Sequence, residues 1–145
     1  MKILLAFDGS EHSEAAAREL AGRPWPPDST VRILTAVRAY VPSAVEFVST
    51  GETADQIQDD HVQSARELAE TVAESLQVTG LRIETVVKKG DPRRLIVDEA
   101  KLWGADLIVM GACGHTAFER WLIGSVAQSV VTHAPCSVEL VRRPQ

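Results

Sequence analysis

Cysteine is scarce in this sequence, and long apolar runs are absent. Of the 145 residues only Cys113 and Cys136 are cysteines, and neither belongs to a Cys-x-x-Cys pair or to a Cys/His pattern typical of metal sites. A disulfide framework is not expected in a cytoplasmic protein, and we interpret both as free thiols. Apolar stretches are only as long as a strand, and no signal-peptide pattern is present. We expect a cytoplasmic protein with no membrane partner.

Positive charge is also in short supply. The chain has 15 Lys and Arg against 20 Asp and Glu, which gives a formal net charge of -5. Because nucleic acids are bound through clustered Lys and Arg, this balance excludes a broad surface for DNA or RNA. What the sequence does have is 45% apolar residues, enough for the core of one domain. We therefore expect residues 1–145 to form a single domain.

Apolar runs and amphipathic stretches alternate along the chain. Continuous apolar runs bounded by turn residues predict five buried strands, at residues 2–7, 30–38, 81–87, 106–110 and 136–142. Helical spacing of apolar residues predicts the intervening helices, at residues 11–22, 52–79, 92–104 and from 124 onward. The acids and amides of the long second helix are interpreted as a solvated face, and His61 as an ordinary surface or core residue. This order predicts an α/β fold, a five-stranded parallel sheet with helices on both faces.

Glycines cluster after the fourth strand, and such sheets bind ligands beyond the carboxyl ends of their strands. Met110-Gly111-Ala112-Cys113-Gly114 is followed, after nine further residues, by Gly124-Ser125 at the start of a helix. Glycine lets backbone N–H groups approach phosphate oxygens, and a helix N-terminus offers free N–H groups to an anion. The Ser125 hydroxyl is one more donor. For any single glycine a simple turn is the alternative. The spacing of the three glycines is what indicates a phosphate site.

This glycine pattern, Gly-x-x-Gly-x9-Gly-Ser at Gly111, Gly114, Gly124 and Ser125, resembles the ATP-binding motif of the universal stress protein family. Further similarity lies in the turn at residues 8–10 and in the stretches at 90–92 and 133–136, so the resemblance covers nearly the whole chain. It implies a Rossmann-like fold of the adenine nucleotide alpha hydrolase type. It also implies a nucleotide-dependent stress-response or signalling function.

The resemblance implies which residues bind ATP. The triphosphate and ribose would contact Gly111, Gly114, Gly124, Ser125 and Val126. Asp8 would contact the nucleoside and the Val37 backbone the adenine, and Met110 and His115 complete the predicted set. Asp8 has independent support, because a carboxylate after the first strand lies beside the end of the fourth in such a sheet. The alternative for Asp8 is a turn cap.

The phosphate loop departs from the family pattern at one position. Members often carry a basic residue after the first glycine of the loop, where this chain has Ala112. Neutralising the triphosphate would then fall to His115, to Arg120 and to a bridging Mg²⁺ or Mn²⁺. The histidines and cysteines lack ligand spacing, so no metal site made of protein residues is predicted.

The predicted function is an ATP-binding module with slow or absent hydrolysis. The segment Gly124-Ser125-Val126 has no Walker lysine, and no general base is evident nearby, so no catalytic residue is predicted. A weak ATPase is one alternative. A family member that binds no nucleotide and acts through protein contacts is another. A phospho-acceptor domain is disfavoured because Asp8 has no adjacent acid.

The last strand predicts a homodimer. Family members commonly pair through this strand, which lies at a sheet edge and presents unpaired backbone groups. In this chain the strand carries Glu139, and a buried carboxylate without a partner is costly. We therefore expect Glu139 to pair with Arg142 or Arg143 of the second copy, or to lie at a solvated rim of the interface.

Overall fold

Strands and helices alternate in the computed structural model, which describes residues 1–41, 53–77, 80–114 and 122–142. The elements are β1 (Lys2–Ala6), α1 (Glu11–Ala21), β2 (Thr30–Val37), α2 (Ala54–Gln77), β3 (Arg82–Lys89), α3 (Pro92–Trp103), β4 (Leu107–Gly111), α4 (Ser125–His133) and β5 (Ser137–Val141). Every predicted strand and helix is present, with its boundaries shifted by no more than two residues.

The five strands form one parallel sheet in the order β3-β2-β1-β4-β5, which confirms the predicted fold class. The chain builds outward from β1 to β3 and then crosses to β4, on the other side of β1. Ala6 of β1 lies opposite Leu34 of β2 and Met110 of β4. Because the strand order reverses between β1 and β4, a crevice opens beyond their carboxyl ends.

Two apolar layers cover the two faces of this sheet. Alternate residues of β1 point to opposite faces, so Ile3 and Leu5 pack in the layer with α1 and α2. Leu4 and Ala6 pack in the layer with α3 and α4. Helices therefore lie on both faces, as predicted. In the described part of the chain, no helix is both long enough and apolar enough to span a membrane.

The starts of α1 and α3 follow the capping residues of the sequence. Ser10 caps α1, and its side-chain oxygen accepts a hydrogen bond from the Ser13 N–H at 3.3 Å. Asp91 caps α3 in the same way, and Pro92 occupies the first turn, where no N–H donor is needed. The caps come directly after the turns that follow β1 and β3. The starts of both helices therefore lie at the carboxyl edge of the sheet.

A buried carboxylate lies between α3 and the sheet. Glu99 is 4% exposed, and its oxygens accept hydrogen bonds from Arg32 at 2.8 Å and from the ammonium of Lys88. Arg32 also bonds Glu84 and lies over the Trp103 ring, 4.3 Å from its centroid. Burial alone would raise the pKa of Glu99, but the hydrogen bonds from Lys88 and Arg32 outweigh it and hold this pKa below its ordinary value. The network ties α3 to β2 and β3.

The edge strand β5 corrects one prediction. Glu139 is only partly exposed there, and its carboxylate accepts two hydrogen bonds from the Arg23 guanidinium, one of them at 2.9 Å. Arg23 follows the end of α1 in the same chain and also bonds Glu19. The expectation that Glu139 needs an arginine of a second copy is therefore wrong, because its partner lies in its own chain. Arg143, one of the arginines proposed for that pairing, lies outside the described residues.

Candidate functional site

A cleft of about 830 Å³ lies beyond the carboxyl ends of β1, β2 and β4. Its volume is within the usual range for small-molecule sites. The starts of α1, α3 and α4 and one side of α2 complete its walls. All the predicted site residues that the structure describes line this cleft: Asp8, Val37, Met110, Gly111, Gly114, Gly124, Ser125 and Val126. His115 and Arg120 lie outside the described residues.

Asp8 lies in the cleft wall between the first turn of α1 and the glycine loop. Its Oδ1 accepts a hydrogen bond from the Ser10 N–H at 3.0 Å. This oxygen therefore caps the turn, as the alternative interpretation of Asp8 predicts. Its Oδ2 lies beside Gly114, since a Cβ placed on Gly114 would be only 2.9 Å from that oxygen. The two strand ends therefore bring a carboxylate against the loop. Oδ1 thus caps the turn, whereas Oδ2 lies against the loop.

The loop between β4 and α4 is closed at its base by two hydrogen bonds. The Gly124 N–H donates to the Ala112 carbonyl at 2.8 Å, and the Cys113 thiol donates to the Leu122 carbonyl at 2.8 Å. Gly124 is the N-cap of α4, and no side chain in the described structure caps that end. The first N–H groups of a helix have no acceptor within it. The start of α4 therefore presents uncapped donors to the cleft.

Gly111 and Gly124 of the motif differ in how closely other atoms approach the position of a Cβ. A Cβ on Gly111 would lie 2.7 Å from the His12 carbonyl carbon and 2.9 Å from the Ser13 nitrogen, so the first turn of α1 packs directly on Gly111. A Cβ on Gly124 would meet its nearest atoms, which belong to Cys113 and Ala112, at 3.4 and 3.5 Å. Packing among the described residues therefore requires glycine at position 111. At position 124 the same packing leaves room for a methyl group.

The end of β2 lines the cleft on its other side. The Val37 carbonyl accepts a hydrogen bond from the Gly90 N–H at 2.8 Å, which directs it toward β3. The Leu34 carbonyl accepts from the Phe7 N–H at 2.9 Å and faces β1. Successive residues of a strand direct their backbone groups to opposite neighbours. Ala36 therefore faces the β1 side, where the ladder between β1 and β2 ends at Ala6.

Thr35, which sequence reasoning did not select, also lines the cleft. It is 4% exposed, and its hydroxyl has no hydrogen-bond partner among the described residues. A buried hydroxyl without a partner costs free energy. The sequence held no signal for this residue, because a threonine inside a strand is ordinary.

Two residues of α2 that sequence reasoning did not select also line the cleft. His61 and Ser64 follow Ile57 by four and seven residues, so they lie on the same side of the helix as Ile57, and both line the cleft together with Tyr40. The Tyr40 and His61 rings meet edge to face, with their centroids 5.7 Å apart. Helical spacing places these polar residues on the apolar side of α2, but it does not reveal that this side borders a cleft before it reaches the core.

Charge inside the cleft is sparse. Among the described residues that line it, Arg38 and His61 are the side chains that can carry positive charge. In the described ranges no three His, Cys, Asp or Glu side chains come together as metal ligands. A divalent cation held here would therefore take its ligands mainly from the bound molecule and from water.

Comparison with known proteins places the chain in a family. The model of the universal stress protein family matches residues 1–142. A putative universal stress protein of Staphylococcus epidermidis is 31% identical over 142 residues, which cover 97% of this chain and 82% of that protein. UspA from Lactobacillus plantarum superposes with a TM-score of 0.83 at 25% identity, covering 98% and 97% of the two chains. The protein MJ0577 superposes with a TM-score of 0.84 at 26% identity, covering 99% and 96%.

More distant structures share the fold and were determined with nucleotides. A family member from Arabidopsis thaliana with AMP bound superposes with a TM-score of 0.70 at 20% identity, covering 99% of this chain and 92% of that chain. A universal stress protein in complex with cAMP gives a TM-score of 0.71 at 22% identity, covering 99% and 98%. The sheet order, the cleft and the family match agree, and the chain belongs to the universal stress protein family.

Proposed function

We propose that this protein binds an adenine nucleotide in the cleft, ATP above all, and acts as a nucleotide-dependent stress-response or signalling module in the cytoplasm. The observation that carries the proposal is the start of α4. Among the described residues it opens onto the cleft without a side-chain cap, and a Cβ on Gly124 would come no closer than 3.4 Å to any atom. Uncapped N–H groups at a helix start bind phosphate oxygens. AMP and cAMP in two structural relatives support the same ligand class.

The remaining walls suit a nucleoside. Asp8 keeps one oxygen directed toward the loop, and that carboxylate is a good acceptor for ribose hydroxyls. The apolar side chains of Leu34, Ile96 and Met110 line the cleft where an aromatic base would be excluded from water. We propose that the Ala36 backbone rather than that of Val37 meets the base, because the Val37 carbonyl already accepts from Gly90.

A divalent cation would accompany a triphosphate. Mg²⁺ is usually held by one or two carboxylates together with substrate phosphates, and Asp8 is the carboxylate within the cleft lining. The cation would offset the negative charge of the triphosphate, which Arg38 and His61 neutralise only in part. In the described part of the cleft no lysine lies at the start of α4 and no second carboxylate accompanies Asp8, so we propose slow or absent hydrolysis.

The sparse positive charge favours one alternative, a family member that binds no nucleotide and acts through protein contacts. Mass spectrometry of the molecules released from heat-denatured protein separates the two functions. Titration calorimetry with ATP, AMP and cAMP, each with and without Mg²⁺ or Mn²⁺, then ranks the ligands. At a ligand concentration one hundred times Kd, binding adds about 2.7 kcal/mol to the free energy of unfolding, which a thermal melt detects. No released nucleotide, no heat and no thermal shift would refute the proposed function.

We also propose a homodimer that forms through β5. This strand is an edge of the sheet and pairs within the described chain only with β4. An exposed edge is a template for a second chain. Because Arg23 already neutralises Glu139, the edge brings no unpaired carboxylate into such an interface.

A further inference from the structure

The N-terminal half of α2, residues 54–64, forms a wall of the cleft without contributing a buried residue to the core. The buried residues of α2 are Ala65, Ala69, Val72 and Leu76, all in its later turns. All of residues 54–64 are described, and none of them is buried. Yet His61 and Ser64 line the cleft. Segments with few buried apolar contacts open at low free energy. Something other than core packing must hold this wall in place.

Gln58 makes the closest polar contact between this segment and the end of β2. Its Oε1 accepts a hydrogen bond from the Tyr40 N–H at 2.7 Å, and its Nε2 donates to the Arg38 carbonyl at 3.5 Å. One side-chain amide thus takes a donor and an acceptor from the backbone just after Val37, where β2 ends. The first of these bonds has good length, and the second is long and weak.

Two further contacts join this segment to its surroundings in the described structure. Asp59 approaches Lys89 at 3.9 Å, but the two side chains are 80% and 54% exposed. An exposed pair of this kind contributes little. The ring of Tyr40 meets the ring of His61, and the backbone N–H of the same Tyr40 is bonded to Gln58. Among the described contacts, the hydrogen bond of Gln58 is therefore the one that contributes most to holding residues 54–64 against the end of β2.

We propose that Gln58 is a positioning residue of the cleft, which clamps residues 38–40 to α2 and so couples ligand binding to the ordering of residues 54–64. The coupling rests on the proposed function, whereas the clamp itself does not. A ligand that touches Tyr40, His61 or Ser64 meets them in place only when the segment is docked. Such a ligand binds the docked state better and shifts the equilibrium toward it.

Hydrogen exchange tests the clamp in the protein without ligand. Gln58→Leu removes both hydrogen bonds and keeps a good helix former. The matched control is Gln63→Leu on the same helix, whose amide bonds only Glu67 in the described structure. A hydrogen bond of ordinary strength corresponds to about a fivefold change in an equilibrium constant. We expect the Tyr40 amide and the amides of residues 54–64 to exchange about fivefold faster in Gln58→Leu, and at wild-type rates in the control. Equal rates in both variants would overturn the clamp.

Titration calorimetry with ATP and Mg²⁺ tests the coupling. We expect Gln58→Leu to bind ATP up to about fivefold more weakly than the control and to lower the melting temperature by no more than about 2–4 °C, because the core turns of α2 are untouched. ATP should also slow exchange of residues 54–64 in the wild type. Faster exchange in Gln58→Leu with unchanged ATP affinity would overturn the coupling. A wild type that binds no nucleotide would overturn the coupling and the proposed function together, and exchange in the free protein would still decide the clamp.

Discussion

Substituting the two glycines that bracket the phosphate loop separates a structural requirement from a ligand requirement. At Gly111 a Cβ would lie 2.7 Å from the His12 carbonyl carbon and 2.9 Å from the Ser13 nitrogen. Both are backbone atoms of α1, so Gly111→Ala must displace the helix or the strand. Overpacking of this kind costs about 1–3 kcal/mol. For a chain of this size each kcal/mol lowers the melting temperature by about 2–4 °C.

At Gly124 the same substitution meets no close contact among the described residues. The nearest atoms would be 3.4 Å and farther from the new Cβ, and the backbone angles, φ −61° and ψ 151°, are ordinary for alanine. Alanine is a poorer N-cap than glycine, but it also reduces the entropy of the unfolded chain, and the two effects are of similar size. We therefore expect Gly124→Ala to melt within about 3 °C of the wild type.

Nucleotide binding should reverse this order. A methyl group on Gly124 occupies the space through which a phosphate oxygen approaches the start of α4. Losing a hydrogen bond to a charged group costs about 1.5–3 kcal/mol, which corresponds to a Kd about ten- to a hundredfold higher. Differential scanning calorimetry gives the melting temperature of each variant, and titration with ATP and Mg²⁺ gives its Kd. A Gly124→Ala protein that keeps wild-type affinity, or a Gly111→Ala protein that melts with the wild type, would refute the reasoning.

Three further predictions concern the rest of the molecule. Glu99→Leu takes the buried carboxylate from Lys88, which is partly exposed, and from Arg32, which keeps Glu84, and should lower the free energy of unfolding by about 1–3 kcal/mol at pH 7. Because the pKa of Glu99 is held below its ordinary value of 4.5, its contribution is present above that pH and is lost as the pH falls. Urea unfolding at pH 7 and pH 4 should therefore show a smaller acid effect in the variant than in the wild type. Thr35→Val removes a hydroxyl without a partner in the described structure and should keep or raise the urea midpoint, so a loss above about 1 kcal/mol would reveal a hidden partner. Light scattering at micromolar concentration should give a dimer, and Arg23→Leu, which leaves Glu139 exposed to the β5 edge without its cation, should lower the dimer fraction; a monomeric wild type would contradict the assembly.

The sheet, and the part of the cleft lining that holds Asp8 and the glycines, followed from local patterns. The runs that became β1 and β4 are apolar at every buried position, which is the pattern of strands covered on both faces. Alternation with helices then determined the sheet class, and the sheet class placed Asp8 and the glycines at one edge. These steps need only neighbouring residues and general rules of chain connection.

Contacts between distant positions were beyond the reach of such patterns. Arg23 and Glu139 are 116 positions apart, and their pairing depends on how closely the end of α1 approaches β5. The role of Gln58 depends on the path of the chain after Val37, which spacing within α2 does not reveal. The reason for glycine at position 111 was also hidden. It is the proximity of the α1 backbone, a packing constraint that the motif alone does not distinguish from close approach to phosphate.

The central position of β1 matters while the chain is being made. Lys2 donates its N–H to Asp106 across 104 positions, and Ile3 pairs with Leu107. A ribosome adds about 5–20 residues per second, so β4 is synthesised roughly 5–20 s after β1. During that interval one edge of an apolar strand has no neighbour and can pair with another nascent chain. We therefore expect aggregation during translation to lower the yield, and codon choice between β1 and β4 to affect yield without changing the folded protein.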